Sequence, residues 1–110
     1  MPNAIADRRD APRYPLILIA EITEIATGNK IVGRTSDVSR TGCYVDTLSP
    51  PAKGTEVRVR LVQGSDVFET QGTVMYVSPG LGLGLRFQDG TAEKQMATLD
   101  RWLRQAARGL

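Results

Sequence analysis

Histidine is absent from this 110-residue chain and cysteine occurs once. A single thiol excludes an internal disulfide. With no imidazole, only Cys43 and carboxylates remain as metal ligands, so an ordinary structural zinc site is excluded and no metal is expected. The same absence leaves nothing to activate Cys43 as a nucleophile, and it reads as a small buried apolar residue. No paired carboxylates sit in a recognisable catalytic motif, so the expectation is a protein that is not an enzyme and has no cofactor. Long apolar runs are missing too. The longest, Leu16 to Ala20, is far short of the roughly 20 residues that span a bilayer. The first residues have neither the basic nor the apolar region of a signal peptide, which predicts a cytoplasmic protein with no membrane association. Aromatics make up 5% of the chain, mostly at core-facing spacing, too few for the stacking platforms of a nucleic-acid groove. A net charge of +2 adds no argument for nucleic acid. Lysine is scarce beside arginine, 3 against 11, and arginine suits bidentate phosphate contacts and stacking.

What is present fits one core and not two ordinary domains. Residues 1–13 are polar, mixed in charge and proline-containing, and read as a flexible N-terminal arm. Tyr14 to Ile25 then reads as a strand with Leu16, Leu18, Ala20 and Ile22 on one face. Gly28-Asn29 is a hairpin turn before Lys30 to Asp37, and Ser39 to Gly42 turns the chain into Cys43 to Thr47. Pro50-Pro51 and Gly54 make a loop that no strand or helix crosses. In Thr55 to Val62, Val57, Val59 and Leu61 alternate with Arg58 and Arg60, so one face is buried and the other wet. Gly64-Ser65 closes a hairpin into Val67 to Val77, where Gly72 marks a bulge or a close approach. Pro79-Gly80 turns into Leu81 to Phe87. After Asp89-Gly90 the period changes. Ala92, Met96, Leu99, Leu103 and Ala106 share a helical stripe, with Trp102 beside it for packing and Arg101, Arg104 and Arg108 near a helix C-terminus. Six strands followed by one helix predict an all-β fold, a six-stranded antiparallel barrel over 14–88 with a C-terminal α-helix over 89–110 packed on it.

Two polar clusters carry the chemistry. Arg9-Asp-Ala-Pro-Arg13 sets two guanidiniums four positions apart in a segment that Pro12 keeps from being helical. After 23 intervening residues, Asp37-Val-Ser39-Arg-Thr-Gly42 joins a carboxylate, a hydroxyl and a glycine in a turn. Guanidiniums bridge phosphates and lie on purine faces, and a carboxylate accepts from the guanine edge. Asp37 and Ser39 have a structural alternative as turn caps on nearby backbone N–H groups. Gly42 supplies either a positive φ or room for close approach. Arg40, within the turn, is in reach of a phosphate. Gly80-Leu-Gly82-Leu-Gly84 is not a phosphate loop, because such a loop opens a helix and this one runs into Leu85-Arg86-Phe87. It reads as a strand bare of side chains on one face.

In type, order and spacing these clusters resemble the PilZ family, bacterial receptors for cyclic di-GMP with the signature RxxxR followed downstream by D/N-x-S-x-x-G. Every signature position is filled: Arg9 and Arg13, then Asp37, Ser39 and Gly42. The likeness spans roughly residues 8–105 as a single domain and includes Gly84-Leu-Arg-Phe87. It implies the PilZ-type (split) barrel and cyclic di-GMP as ligand, held by Arg8, Arg9, Arg13, Asp37, Ser39 and Gly42, with Arg40, at a position the motif leaves free, a further candidate from its place in the turn. The bare face at Gly84 is implied to lie near the pocket. It further implies an arm that orders on binding and signals to an unidentified downstream protein, from a monomer or weak dimer. The alternative is a PilZ-like adaptor in motility or pilus assembly that binds no nucleotide. Such members typically lack the signature residues that are filled here.

In this family a basic residue just before the first signature arginine accompanies binding of an intercalated ligand dimer. Self-stacked dinucleotides gather four phosphate charges, which call for more cations than one molecule does. Arg8 therefore predicts two cyclic di-GMP per chain, falling toward one in Arg8→Leu; the alternative is an exposed charge balanced by Asp7 and Asp10, a contact worth under about 1 kcal/mol. The check is a titration at protein concentrations well above Kd. A single-ligand endpoint in the wild type, or a two-ligand endpoint that survives the substitution, contradicts it.

Overall fold

The computed structural model describes residues 11–109. Apolar alternation and glycine turns set the elements. Strands β1 (Tyr14–Pro15), β2 (Ile19–Glu24), β3 (Lys30–Val38), β4 (Gly42–Asp46), β5 (Glu56–Gln63), β6 (Asp66–Ser78) and β7 (Gly82–Phe87) precede helix α1 (Glu93–Arg108). Strands β2 to β7 close a six-stranded antiparallel barrel in the order β3-β2-β5-β6-β7-β4, with β4 pairing back onto β3. Closure removes the free edges that an open sheet would present. Between β5 and β6, Gln63 faces Asp66 across a two-residue loop in which Gly64 has φ +60° and Ser65 has no positive φ. That is a type II′ turn, whose twist matches the strands it joins. Ala20, Ile22, Val57, Val59 and Leu61 are buried, as the alternation predicts, and Phe68 packs on Phe87 at 5.1 Å. Gly72 is a point of close approach, since a Cβ there would stand 2.6 Å from the Arg86 carbonyl oxygen.

Two β-bulges interrupt the alternation. Along β3 the partners on β4 run Thr35–Val45 and then Asp37–Tyr44, so Ser36 is the extra residue. Along β6 the partners on β7 run Val74–Leu85 and then Tyr76–Gly84, so Met75 is extra. In a regular strand, residues two apart share a face. Thr35 and Val74 are buried, so unbroken alternation would bury Asp37 and Tyr76 with them. Each bulge turns the next side chain outward instead.

The strand expected from Tyr14 to Ile25 is broken between β1 and β2, and the buried Thr35 side chain fills the break. Its hydroxyl donates to the Leu16 carbonyl at 2.7 Å and accepts from the Leu18 N–H at 2.8 Å. The Thr35 N–H donates to the Leu18 carbonyl at 2.9 Å. With that rung replaced, β1 still pairs with the end of β3, Tyr14 opposite Val38 and Pro15 opposite Asp37. Thr35 thus fixes where the N-terminal segment meets the barrel.

Helix α1 lies on β6 and β1. Leu99, Trp102 and Leu103 are buried, each contributing about 1.5–3 kcal/mol through removal from water. The Trp102 Nε1–H is buried with no acceptor among the described residues, which offsets part of that gain. Gln95 Oε1 accepts from the Glu69 N–H at 2.7 Å, and the Thr70 and Thr91 hydroxyls bond at 2.7 Å, tying the helix start to β6.

Thr35→Val keeps the shape but strands the Leu18 donor and the Leu16 acceptor. The expected cost is about 1–3 kcal/mol of stability, with most of it recovered in Thr35→Ser. Urea unfolding of the three proteins checks this, and an unchanged midpoint for Thr35→Val would contradict the clamp.

Candidate functional site

The two bulges and the barrel register place one row of outward positions side by side. Pro15 on β1 faces Asp37 on β3, Asp37 faces Tyr44 on β4, Tyr44 faces Gly84 on β7, and Gly84 faces Tyr76 on β6. Neighbouring strands lie about 4.8 Å apart, so the row crosses a continuous stretch of outer surface. Leu83 and Leu85, flanking Gly84, point into the core and are buried.

At one end of the row, Arg13 Nε stands 3.2 Å from Asp37 Oδ1. The two are an ion pair by distance, yet the approach does not form a directed hydrogen bond, and Oδ1 is buried with no donor aimed at it among the described residues. Both side chains remain partly open, at 46% and 38% exposure. A buried carboxylate oxygen without a donor is costly unless a donor is supplied. Guanidinium and carboxylate, the two groups expected to meet an anionic purine ligand, are thus already adjacent. Arg8 and Arg9 lie outside the described residues.

Ser39 and Gly42 build the turn that presents Asp37. The Ser39 N–H donates to the Gly42 carbonyl at 2.8 Å. The Ser39 hydroxyl accepts from the Thr41 N–H at 3.1 Å and donates to the Gly42 carbonyl at 3.3 Å. Ser39 is 1% exposed, so its hydroxyl holds the turn from the inside. Gly42 has no positive φ. Its bareness serves packing, because a Cβ there would collide with the Leu85 carbonyl oxygen of β7.

Arg40, at the tip of the turn, reaches helix α1. Its Nε and Nη2 donate to Asp100 Oδ1 at 2.7 Å and Oδ2 at 3.2 Å, a two-point contact. The hydrogen bond from Arg40 holds the Asp100 carboxyl below its usual range, and Asp100 in turn raises the guanidinium. Cys43, next along the chain, is fully buried. Burial first, and then the Asp37 charge, push its thiol up to about 12, so it is inert at neutral pH. An open cleft elsewhere, lined by Arg58, Glu69, Gln71 and Gln88 at the helix start, contains none of the signature residues.

A profile of the PilZ domain matches residues 7–105. The chain belongs to the PilZ family. No curated protein matches it. Among solved structures, the PilZ domain of YcgR from Escherichia coli with c-di-GMP is similar at 18% identity and TM-score 0.75, covering 93% of each chain. The PilZ domain of CeSA from a cellulose-synthesizing bacterium is similar at 19% identity and TM-score 0.65, over 86% of this chain and 96% of that one. The Bacillus subtilis inhibitor of motility, MotI/DgrA, is similar at 20% identity and TM-score 0.71, over 92% of this chain and 52% of that one. At these identities the likeness is one of fold, and it agrees with the six-stranded barrel and single C-terminal helix.

Within this PilZ domain the described signature positions fall into two groups. Arg13 and Asp37 meet on the outer face, while Ser39 and Gly42 serve the turn; Arg40, between them, reaches the helix. The bare face expected at Gly84 is covered. The Tyr76 ring occupies the space a Cβ would need at Gly84, and Tyr44 covers Gly82, its Cε1 and hydroxyl 2.8 and 2.9 Å from where a Cβ would sit. The two rings lie 6.1 Å apart. Counting aromatics at core-facing spacing missed this pair, because the Met75 bulge that turns Tyr76 outward leaves no mark in the hydrophobic pattern.

The Arg40–Asp100 pair carries a pH signature. Asp100 has a depressed folded pKa, so its contribution is present above the ordinary aspartate value and is lost as pH falls through the folded one. Arg40→Ala is expected to cost up to about 1 kcal/mol at pH 7, with the difference from wild type shrinking below about pH 4. Urea midpoints at both pH values test it. A cost that persists undiminished in acid would assign Arg40 another role.

Proposed function

We propose that this PilZ domain is a receptor for cyclic di-GMP, acting in the cytoplasm, that performs no chemistry on the nucleotide and passes its signal to a partner protein. The observation that carries the reading is the buried Asp37 Oδ1, which lacks a directed donor among the described residues and stands beside Arg13 at 3.2 Å. Guanine offers two donors on one edge, N1–H and N2–H, which suit such a carboxylate. Arg9 and Arg13, with Arg8, meet the two phosphodiester charges through charge-assisted bonds. Ser39 and Gly42 act by holding the turn. Arg40 acts through Asp100, and Gly84 by seating the Tyr76 ring. The filled signature supports this reading over that of an adaptor without a nucleotide.

Binding organises residues 1–13 over the barrel, so contacts to the ligand must exceed the entropy of ordering them. The surface so formed is what a partner reads.

Calorimetric titration with cyclic di-GMP and cyclic di-AMP tests the assignment. Arg9→Ala or Arg13→Ala should weaken cyclic di-GMP binding by at least about 2 kcal/mol while leaving barrel stability nearly unchanged. Asp37→Ala should erase the preference for guanine over adenine and keep the weaker binding carried by phosphate contacts. Wild-type protein that binds neither nucleotide, or an Asp37→Ala variant with unchanged preference, would overturn it.

A further inference from the structure

Tyr44 and Tyr76 do no core work. Both occupy outward positions, and Tyr76 is 48% exposed. They share the row that begins at Asp37, with Tyr44 directly opposite it. A planar group whose edge is bonded to Asp37 and which lies along the barrel surface therefore extends over Tyr44 first and toward Tyr76 next. Their rings are pre-set, because β7 offers only Gly82 and Gly84 beneath them and the ring atoms occupy those Cβ spaces. A tyrosine held in this way loses little rotamer freedom when something stacks on it.

The plain structural explanation is that exposed rings cover strand glycines and compensate for their missing side chains. That accounts for the glycines being covered. It does not account for the Met75 bulge, which brings Tyr76 out of the core-facing alternation and into line with the carboxylate turned out by the Ser36 bulge.

We infer that Tyr44 and Tyr76 form an aromatic floor on which the purine held by Asp37 stacks, so that the tyrosines set affinity while Asp37 reads the base. This rests on the cyclic di-GMP receptor reading and deepens it. Stacking on an aromatic side chain is tolerant of base identity, since every base has a π-face. Edge recognition is not. The two contributions therefore separate experimentally.

The test is calorimetric titration of wild type, Tyr44→Leu, Tyr76→Leu, Tyr44→Phe and Asp37→Ala with cyclic di-GMP and cyclic di-AMP, alongside thermal melts. Leucine still covers the glycine beneath but removes the π-face, and phenylalanine keeps it. Each leucine variant should bind cyclic di-GMP about 5- to 100-fold more weakly with its preference over cyclic di-AMP retained, and Tyr44→Phe should bind like wild type. Asp37→Ala should do the converse and lose the preference. If wild type and the Asp37 variant behave as stated but both leucine variants bind like wild type, the floor is overturned and the receptor reading stands. If wild type does not bind, the receptor reading itself has failed. Should a leucine variant melt below the working temperature, the ring-proton resonances of tyrosine-labelled wild type decide. Upfield shifts of the Tyr44 and Tyr76 signals on titration support the floor, and unmoved signals overturn it.

Discussion

Two extra residues in two strands decide what the outer face of this barrel can do. Ser36 and Met75 each add one residue against a partner strand that has none to spare, and each thereby reverses the inward–outward assignment of the next side chain. A regular β3 would carry Asp37 into the core beside Thr35, as an unpaired buried charge. A regular β6 would carry Tyr76 in behind Val74 and overfill the barrel. Because both bulges sit at the level of the Tyr44–Gly84 pair, their effects fall on the same row. The site is a consequence of register before it is a consequence of residue type.

Register in turn depends on what holds the strand ends. Thr35 replaces one rung of the ladder with its hydroxyl, so the chain arriving from Arg13 bends and still pairs at Pro15 with Asp37. On the other side of Asp37, Ser39 closes the turn and Gly42 lets β4 and β7 approach. Arg40 then ties that turn to Asp100 on α1, and α1 also packs on β1. The turn, the helix and the base of the N-terminal segment form a closed circuit of contacts around Asp37. A ligand that bears on Arg13 or on the turn bears on the helix as well, which gives a route from binding to a surface remote from it.

Much of this was legible in the sequence, and unevenly so. Val57, Val59 and Leu61 against Arg58 and Arg60 declared their faces unambiguously, and Gly28, Gly54, Gly64, Gly80 and Gly90, all with positive φ, punctuated the turns. The break after Pro15 was not legible, since Leu16 and Leu18 continue the alternation straight through it and only the buried Thr35, far along the chain, reveals it. Nor was the tyrosine pair, because a bulge is invisible to a period-two pattern whose residues are apolar on both sides. Asp37 and Ser39 read in the sequence as a pair with either turn or ligand chemistry; in the structure the Ser39 hydroxyl bonds within the turn, while Asp37 keeps an oxygen without a directed donor among the described residues.

In the proposed receptor the residue that reads the base is electrostatically opposed to the ligand it reads. The outward row offers one carboxylate, two phenols, a glycine and a proline. Cyclic di-GMP carries two negative phosphodiesters, and like charges a few ångströms apart near a protein surface repel by several kcal/mol at an effective dielectric of about 20. The row by itself therefore selects guanine without being able to hold the dianion. Arg13 resolves the conflict by its position. At 3.2 Å from Asp37 it neutralises the carboxylate where the ligand approaches, and because it makes no directed bond there it keeps its donors for a phosphate. Arg58 or Arg60 on β5 could not do this, as β2 lies between that strand and β3. Arg13 comes from the segment that β1 pins beside β3. Base selection on the barrel and charge neutralisation by Arg13 thus fall on different parts of the chain, and binding that uses both is what couples the ligand to the N-terminal segment.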